Sequence, residues 1–317
     1  MAKKLLVAAN IHSGAGAVRE NLASVIDFCV SRGFAVSVRT SQHPRDLVSY
    51  IAEHGGEYGV LLSTGGDGTL NETLNGLMRC PAPPLLAYIP AGTVNDFASS
   101  LGIPRDPAKA LRLLDEGEPF RCDAGKFGEE YFAYVAAFGA FTDVSYETPQ
   151  EAKQLLGRFA YIVEGIKRLP TLRAYHMTVE GDDFSLEEDF IFGMASNSTS
   201  VAGFRFDSKH GVAMDDGTFE VTLVRAPHNL NERQALLNGI MRQEPVPGLL
   251  DFFHTKTLSI RAAEPVRWTL DGEFGGEVAE VEIQNCPQAF TILAPKADAG
   301  PQSSPDALPD KDSASRT

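Results

Sequence analysis

The sequence predicts an α/β protein joined to a β protein: an N-terminal parallel-sheet domain followed by an antiparallel, β-rich domain, read as a sheet or sandwich. Three observations predict it. Over roughly the first 125 residues, apolar runs of strand length alternate with stretches of helical periodicity. From about Phe127 the apolar residues alternate with polar ones in short segments, the pattern of half-exposed antiparallel strands. Glycine-rich turns stand between strand and helix in the first part, as in an open parallel sheet with helices on both faces.

The elements follow in order. Lys4–Ala9, with an uninterrupted apolar run from Leu5, reads as a buried first strand. After a Ser13-Gly14-Ala15-Gly16 turn comes a helix with Leu22, Val25, Ile26 and Val30 on its apolar face. Phe34–Val38 is a second strand. The helix from Pro44 to His54 turns Leu47, Val48 and Ile51 inward. Tyr58–Ser63 is a third strand, followed by a glycine turn and a helix whose Leu70, Leu74 and Leu77 share one face. Leu85–Ile89 is a fourth strand, leading through Pro90-Ala91-Gly92-Thr93 into a helix over Val94–Leu101, with another over Pro107–Leu114. Further strands are expected over Tyr131–Phe138, Ala174–Glu180, Phe190–Ser196, Phe219–Val224, Thr257–Ala262, Val266–Leu270 and Val278–Gln284. Helices are expected near 150–169 and Asn231–Met241, and the Pro-, Ser- and Asp-rich stretch over 297–317 is a disordered tail.

Composition narrows the function. At 317 residues the chain is long enough for two cores. A net charge of −14 argues against general nucleic-acid binding, which needs a basic face. Cys29, Cys80, Cys122 and Cys286 are far apart and form no Cys-x-x-Cys pair, so a zinc or redox motif is not expected and a reduced cytoplasmic setting fits. The apolar run at the N-terminus stops at Asn10, too early for a signal core or a membrane span, so any membrane contact is expected to be peripheral.

Gly65-Gly66-Asp67-Gly68-Thr69 carries the chemistry. Glycines allow close backbone approach, and unpaired N–H groups at a helix start attract phosphate. A carboxylate in that place repels phosphate unless a cation or a reacting hydroxyl is near, which points to phosphoryl transfer. The segment has neither the Gly-Lys-Ser/Thr ending of a Walker loop nor a Gly-x-Gly-x-x-Gly pattern. Pro90–Ala98 is a second strand–turn–helix segment, in which Thr93 can cap the helix and offer a hydroxyl while Asn95 and Asp96 follow in the first turn. Both turns, with Asn10 after the first strand and Thr40 at the end of the second, fall at the C-terminal edge of the sheet, where such folds bind ligands. Local turn bonding is an equal reading for Asn10, and a plain strand-end residue for Thr40.

Taken together, Asn10, Ser13-Gly14, Gly65–Thr69 with Asn71-Glu72, Pro90-x-Gly92-Thr93-x-Asn95-Asp96-Phe97-Ala98 and Leu101-Gly102-Ile103-Pro104 resemble the diacylglycerol kinase catalytic family. The match is to its soluble bacterial, DgkB-like and YegS-like lipid kinases, with sphingosine kinases sharing the pattern, and it runs from residue 4 to about 294. The resemblance implies a first domain like NAD kinase and phosphofructokinase over 1–125, rejoined by about 288–296, and a lipid-substrate domain over 126–287. It implies ATP in the cleft between them, held by Asn10, Thr40, Gly65, Gly66, Asp67, Gly68, Thr69, Asn71, Glu72, Thr93, Asn95 and Asp96. It implies Mg²⁺ on the Asp216 carboxylate and the carbonyls of Ala213 and Thr218, with Asp123 linked through water. In Trp268–Glu273 the family's final Asp-Gly-Glu makes Glu273 or Asp271 the candidate general base, Glu273 favoured slightly, and Asp67 is a third candidate. One departure stands out: Ile11 replaces the family's proline, which leaves the nucleotide loop less constrained.

Lys153, Arg158, Lys167, Arg168 and Arg173 give the interval 151–173 a local basic surplus, interleaved with Phe159, Tyr161, Ile162 and Leu169. Such a surface binds anionic phospholipid weakly and reversibly, and a solvated helix face is the alternative. The expected activity is transfer of the ATP γ-phosphate to a lipid hydroxyl, diacylglycerol first, by a cytoplasmic protein that visits the inner membrane face. A sphingoid or phosphatidylglycerol kinase, an NAD kinase-like enzyme and an inactive nucleotide- or lipid-binding regulator are the alternatives. Oligomeric state is not readable, and a homodimer is left open.

Overall fold

Residues 3–11, 16–139, 173–198, 200, 201, 204, 205, 213–242 and 244–296 are described by the structure, a computed structural model. The Ser13-Gly14 turn, the helix expected over 150–169 and the tail from 297 lie outside the described residues.

The first apolar run forms β1 (Lys4–Ala9), in which Leu5 to Ala9 are buried. It pairs in parallel with β2 (Ala35–Thr40) on one side and β3 (Val60–Gly65) on the other, and β3 pairs in parallel with β4 (Leu85–Pro90). The register sets Ala9 level with both Thr40 and Thr64, and Gly65 level with Pro90. The C-terminal strand ends therefore share one edge. Helices α1 (Ala17–Ser31), α2 (Asp46–His54) and α3 (Asp67–Arg79) fill the first three connections, and α4 (Asp96–Ser100) and α5 (Pro107–Glu116) follow β4. The faces expected for α2 and α3 are the buried ones. In α1 the buried residues are Val18, Val25 and Cys29, whereas Val30 is 54% exposed. The stripe 18, 22, 25, 29 has the helical period too, so α1 is rotated from the expected stripe. Fully burying a leucine such as Leu5 or Leu74 contributes about 1.5–3 kcal/mol, and dozens of such residues make this core.

β5 (Glu118–Phe127) was hidden in the sequence, because Pro119, Arg121, Asp123 and Lys126 break its apolar pattern. The single strand expected over 131–138 is two, β6 (Glu130–Phe132) and β7 (Val135–Gly139). Beyond them come β8 (Tyr175–Glu180), β9 (Ser185–Ser196), a short β10–β11 pair (Ser200–Val201 with Phe204–Arg205), β12 (Phe219–Arg225), α6 (Leu230–Arg242) and β13 (Leu250–Thr255), the last not expected. The two strands expected over 257–270 join as β14 (Thr257–Leu270), with a register shift between Arg261 and Val266. Val278–Gln284 is the middle of a far longer β15 (Glu273–Ala294).

Among the described residues, thirteen strands form one hydrogen-bonded sheet, with the order β13-β12-β9-β7-β14-β15-β4-β3-β1-β2 and β5, β6 and β8 branching from it. The β-rich part is thus one sheet curled on itself: Phe132 of β6 and Phe219 of β12, remote along the strand path, stack with ring centroids 5.6 Å apart. Phe138, Phe190 and Trp268 fill the same core. β15 joins the two parts. It leaves β14 through the turn at 271–272, runs antiparallel to β5, and its Ile292 pairs in parallel with Leu86 of β4. No helix among the described residues is long and apolar enough to cross a membrane.

Candidate active site

The two glycine turns touch. β3 ends at Gly65, whose carbonyl accepts from the Ala91 N–H (2.8 Å) and the Tyr88 hydroxyl (3.1 Å). A methyl group built on Gly92 would lie 2.8 Å from the Gly66 Cα, so each glycine is needed for the other's approach. Asp67 opens α3, and its Oδ2 accepts from the Asn95 N–H at 3.1 Å. Its Oδ1 is buried and has no hydrogen-bond partner among the described residues. Burial, then the negative charges of Asp96 and Asp271, push the Asp67 carboxyl up to about 7. This is the property that a bound cation or an acceptor hydroxyl would relieve.

The third turn faces them. Asp271 and Gly272 have φ of 52° and 85° and connect Leu270 to Glu273, the geometry of a type I′ hairpin that an Asp-Gly pair suits. A methyl group on Gly68 would fall 2.7 Å from Glu273 Oε1, so the Glu273 carboxylate rests on the first turn of α3, beside Asp67. The Glu273 side chain is otherwise exposed and has no hydrogen-bond partner among the described residues.

Asp271, the other candidate in this turn, is anchored on both of its oxygens. It is buried, and its Oδ2 accepts from Asn71 Nδ2 (2.8 Å) and the Ala133 N–H (2.7 Å). Its Oδ1 accepts from the N–H groups of Tyr134 (2.9 Å) and Val135 (3.2 Å). Burial pushes this carboxyl up, and those donors oppose the push. The same bonds explain the β6–β7 break, since three successive N–H groups turn toward one carboxylate.

The other expected residues divide. Asn10 and Thr40 stand at the ends of β1 and β2, on the same edge; the Asn10 N–H donates to Thr64 O, and Thr40 Oγ1 accepts from Gln42. Thr93 does not cap α4. Asn95 takes that position with φ 54°, and its side chain closes the turn by accepting from the Gly92 N–H and donating to Gly92 O. Thr93 is exposed, while Asp96 and Thr69 are buried. Glu72 Oε1 points to the start of α2, accepting from the Arg45 N–H at 2.9 Å, with Oε2 buried and without a partner among the described residues. Asn71 faces Asp271 and the Tyr131 carbonyl. Sequence reasoning missed Asn75 and Arg79, which follow Asn71 at successive steps of four, the available signal. Nothing in the sequence marked the N–H groups of 133–135.

Asp123 binds the expected metal turn. Its Oδ2 accepts from the Gly217 N–H (2.7 Å) and its Oδ1 from the Gln288 N–H (2.6 Å). Asp216 Oδ1 accepts from Thr218 N–H and Oγ1, and the Thr218 carbonyl accepts from Asn285 Nδ2. No group of three His, Cys, Asp or Glu side chains among the described residues forms a metal site. The donors at this turn, one exposed carboxylate and two carbonyls, are nevertheless the oxygen set that suits Mg²⁺. Asn285 Oδ1 and Asn197 Oδ1, buried and without a partner among the described residues, flank the turn and Asp123. Of the basic residues expected to meet phospholipid, only Arg173 is described, paired with Glu264; Lys153, Arg158, Lys167 and Arg168 lie outside the described residues.

Residues 4–127 match the diacylglycerol kinase catalytic domain. A diacylglycerol kinase of Staphylococcus saprophyticus is 33% identical over 300 residues, covering 93% of this chain and 96% of that one. One of Staphylococcus aureus is 32% identical over 302 residues, 93% of each. A solved structure from Bacillus anthracis strain Sterne superposes with a TM-score of 0.77 at 24% identity, over 93% of this chain and 97% of that one. Another from the same organism, of a diacylglycerol kinase, gives 0.70 at 22% identity.

Proposed function

The chain belongs to the diacylglycerol kinase family, phosphotransferases with an alcohol group as acceptor, and on that premise we propose that it transfers the γ-phosphate of ATP to diacylglycerol, giving phosphatidic acid. The observation that carries this reading is Asp67: a half-buried aspartate whose buried Oδ1 has no hydrogen-bond partner among the described residues, where two glycine turns meet and Glu273 rests on the next residue. The turns at Gly65–Thr69 and Gly92–Asp96, with Asn10 and Thr40, hold the nucleotide. Glu273, whose side chain is exposed and without a hydrogen-bond partner among the described residues, takes the proton of the attacking hydroxyl, the task of a general base. Asp67 orients that hydroxyl or a cation. The reaction needs positioning and charge compensation more than covalent help. Asp216 with the carbonyls of Ala213 and Thr218 would hold Mg²⁺, which supplies positive charge beside Asp216 and Asp123 when bound.

In this reading 1–125 with 288–296 is the nucleotide-binding unit, like that of NAD kinase, and 126–287 the lipid unit. The protein acts in the cytoplasm, reaching the inner membrane face through the basic interval 151–173. The test is ATP consumption by the purified protein with diacylglycerol, sphingoid base, phosphatidylglycerol or NAD, the lipids in mixed micelles. Phosphatidic acid is the expected product. Turnover with NAD alone, or with no acceptor, overturns the proposal.

A further inference from the structure

A polar ladder runs along one side of α3. Arg79 Nη1 donates to Asn75 Oδ1 (2.7 Å), Asn75 Nδ2 to Asn71 Oδ1 (3.2 Å), and Asn71 Nδ2 to Asp271 Oδ2 (2.8 Å). Asn75, 1% exposed, also reads the backbone of β6 in both directions, donating to Tyr131 O (2.8 Å) and accepting from the Tyr131 N–H (3.0 Å). Asp271 closes the ladder on the N–H groups of Ala133, Tyr134 and Val135, and its own N–H donates to Val135 O. One end of these bonds is the helix that carries Asp67 and Gly68. The other is the hairpin turn that carries Glu273.

We propose that this ladder is a positioning device, and that Asp271, Asn71 and Asn75 set the rotation and depth of α3 against the β14–β15 turn so that Glu273 lies on Gly68. The assignment rests on the kinase reading of the site and sharpens it: Asp271 is a positioning residue. A carboxylate offers roughly four lone-pair directions, and here four N–H donors point at it, so none remains for a substrate proton. The three Asp271-bound amides sit where β6 stops and β7 begins, so the break in the strand and the placement of the turn are one feature. A catalytic group must be held within about 0.5 Å of its productive place, and bonds running between the two elements do that better than a loop alone.

The experiment compares Asp271→Asn, Asn75→Ala and Glu273→Gln by kcat, KM for ATP and the pH profile of kcat, and measures backbone hydrogen exchange at Ala133–Val135. Asp271→Asn and Asn75→Ala are expected to lower kcat by about tenfold or more while KM for ATP changes by less than about threefold. Both keep the acidic limb of the profile and speed exchange at 133–135. Glu273→Gln loses that limb and leaves exchange unchanged. Loss of the limb in Asp271→Asn makes it the base and overturns the assignment. So does Asn75→Ala with wild-type kcat and wild-type exchange. If Asp271→Asn does not fold, Asn71→Ala replaces it under the same criteria. A wild-type protein that phosphorylates no alcohol acceptor sinks the kinase reading, while the exchange measurement still decides whether the ladder holds the turn.

Discussion

Asp67 and Asp271 each precede a glycine and each is largely buried, yet their carboxyls meet opposite surroundings. Asp271 sits in a hairpin turn with N–H donors on both oxygens. Asp67 opens a helix with one oxygen bonded to the Asn95 N–H and the other, among the described residues, without a hydrogen-bond partner. A saturated carboxylate is a fixed part of the frame. An unsaturated one, raised to about 7 by burial and by Asp96 and Asp271, is poised for a ligand. The dipeptide Asp-Gly is the same in both places, so the element that follows and the donors brought from elsewhere in the chain decide the role.

The largest effect should come from Glu273, the exposed carboxylate beside this pair. Glu273→Gln keeps the size of the side chain and removes the base, so kcat should fall about 10³-fold with little change in KM for ATP. A rate within tenfold of wild type would shift the base to Asp67 and weaken the contrast. Asp67→Asn should cost about 10²-fold in kcat and at the same time stabilise the ligand-free protein at pH 8 by about 2 kcal/mol.

The sign of that stability change follows from linkage. The folded value near 7 lies above the ordinary 3.8, so between them the folded protein holds a proton that the unfolded chain has released. The cost of Asp67 is absent below the lower value, grows through the window and is complete above about 7. Urea unfolding at pH 4 and pH 8 reads it: the variant should gain at pH 8 and not at pH 4. Equal effects at both would show that the carboxyl titrates normally.

Gly68→Ala is a finer probe. The added methyl meets the mobile end of Glu273, so the helix should lose no stability, and Ala gains up to about 1 kcal/mol over Gly in a helix. Displacing the base should still lower kcat about tenfold. Activity lost without stability separates reach from folding, and unchanged activity would detach Glu273 from the site. The smallest effect concerns the metal turn: millimolar Mg²⁺ should raise the Tm of the wild type by a few degrees, about 1 kcal/mol, and that of Asp216→Ala by less.

Much of the edge of the parallel sheet was legible. Strands β1, β3 and β4 carry continuous apolar runs, and the glycine turns after β3 and β4 mark where backbone must approach backbone, as Gly66 and Gly92 do. Thr93 was misread as a cap because cap preference speaks for hydroxyls, while Asn95 wins by tolerating a positive φ and closing the turn on Gly92. β5 was hidden because its charged residues are placed by function and pairing: Asp123 reaches the Gly217 and Gln288 amides. The break between β6 and β7 had no local signal, since its cause lies well over a hundred residues away at Asp271.

The sequence by itself determined the alternation of strand and helix, the chemistry at the ends of β3 and β4, and a carboxylate-bearing turn near residue 271. Those are local properties, written in periodicity and in the conformational range of glycine and aspartate. Only the tertiary structure decided which carboxylate is anchored and which is free. That choice depends on N–H donors supplied by α3 and by residues 133–135, and on β15 bringing Glu273 onto Gly68. Hydrogen bonds between distant segments are set by the packing of whole elements, and no window of sequence contains both partners.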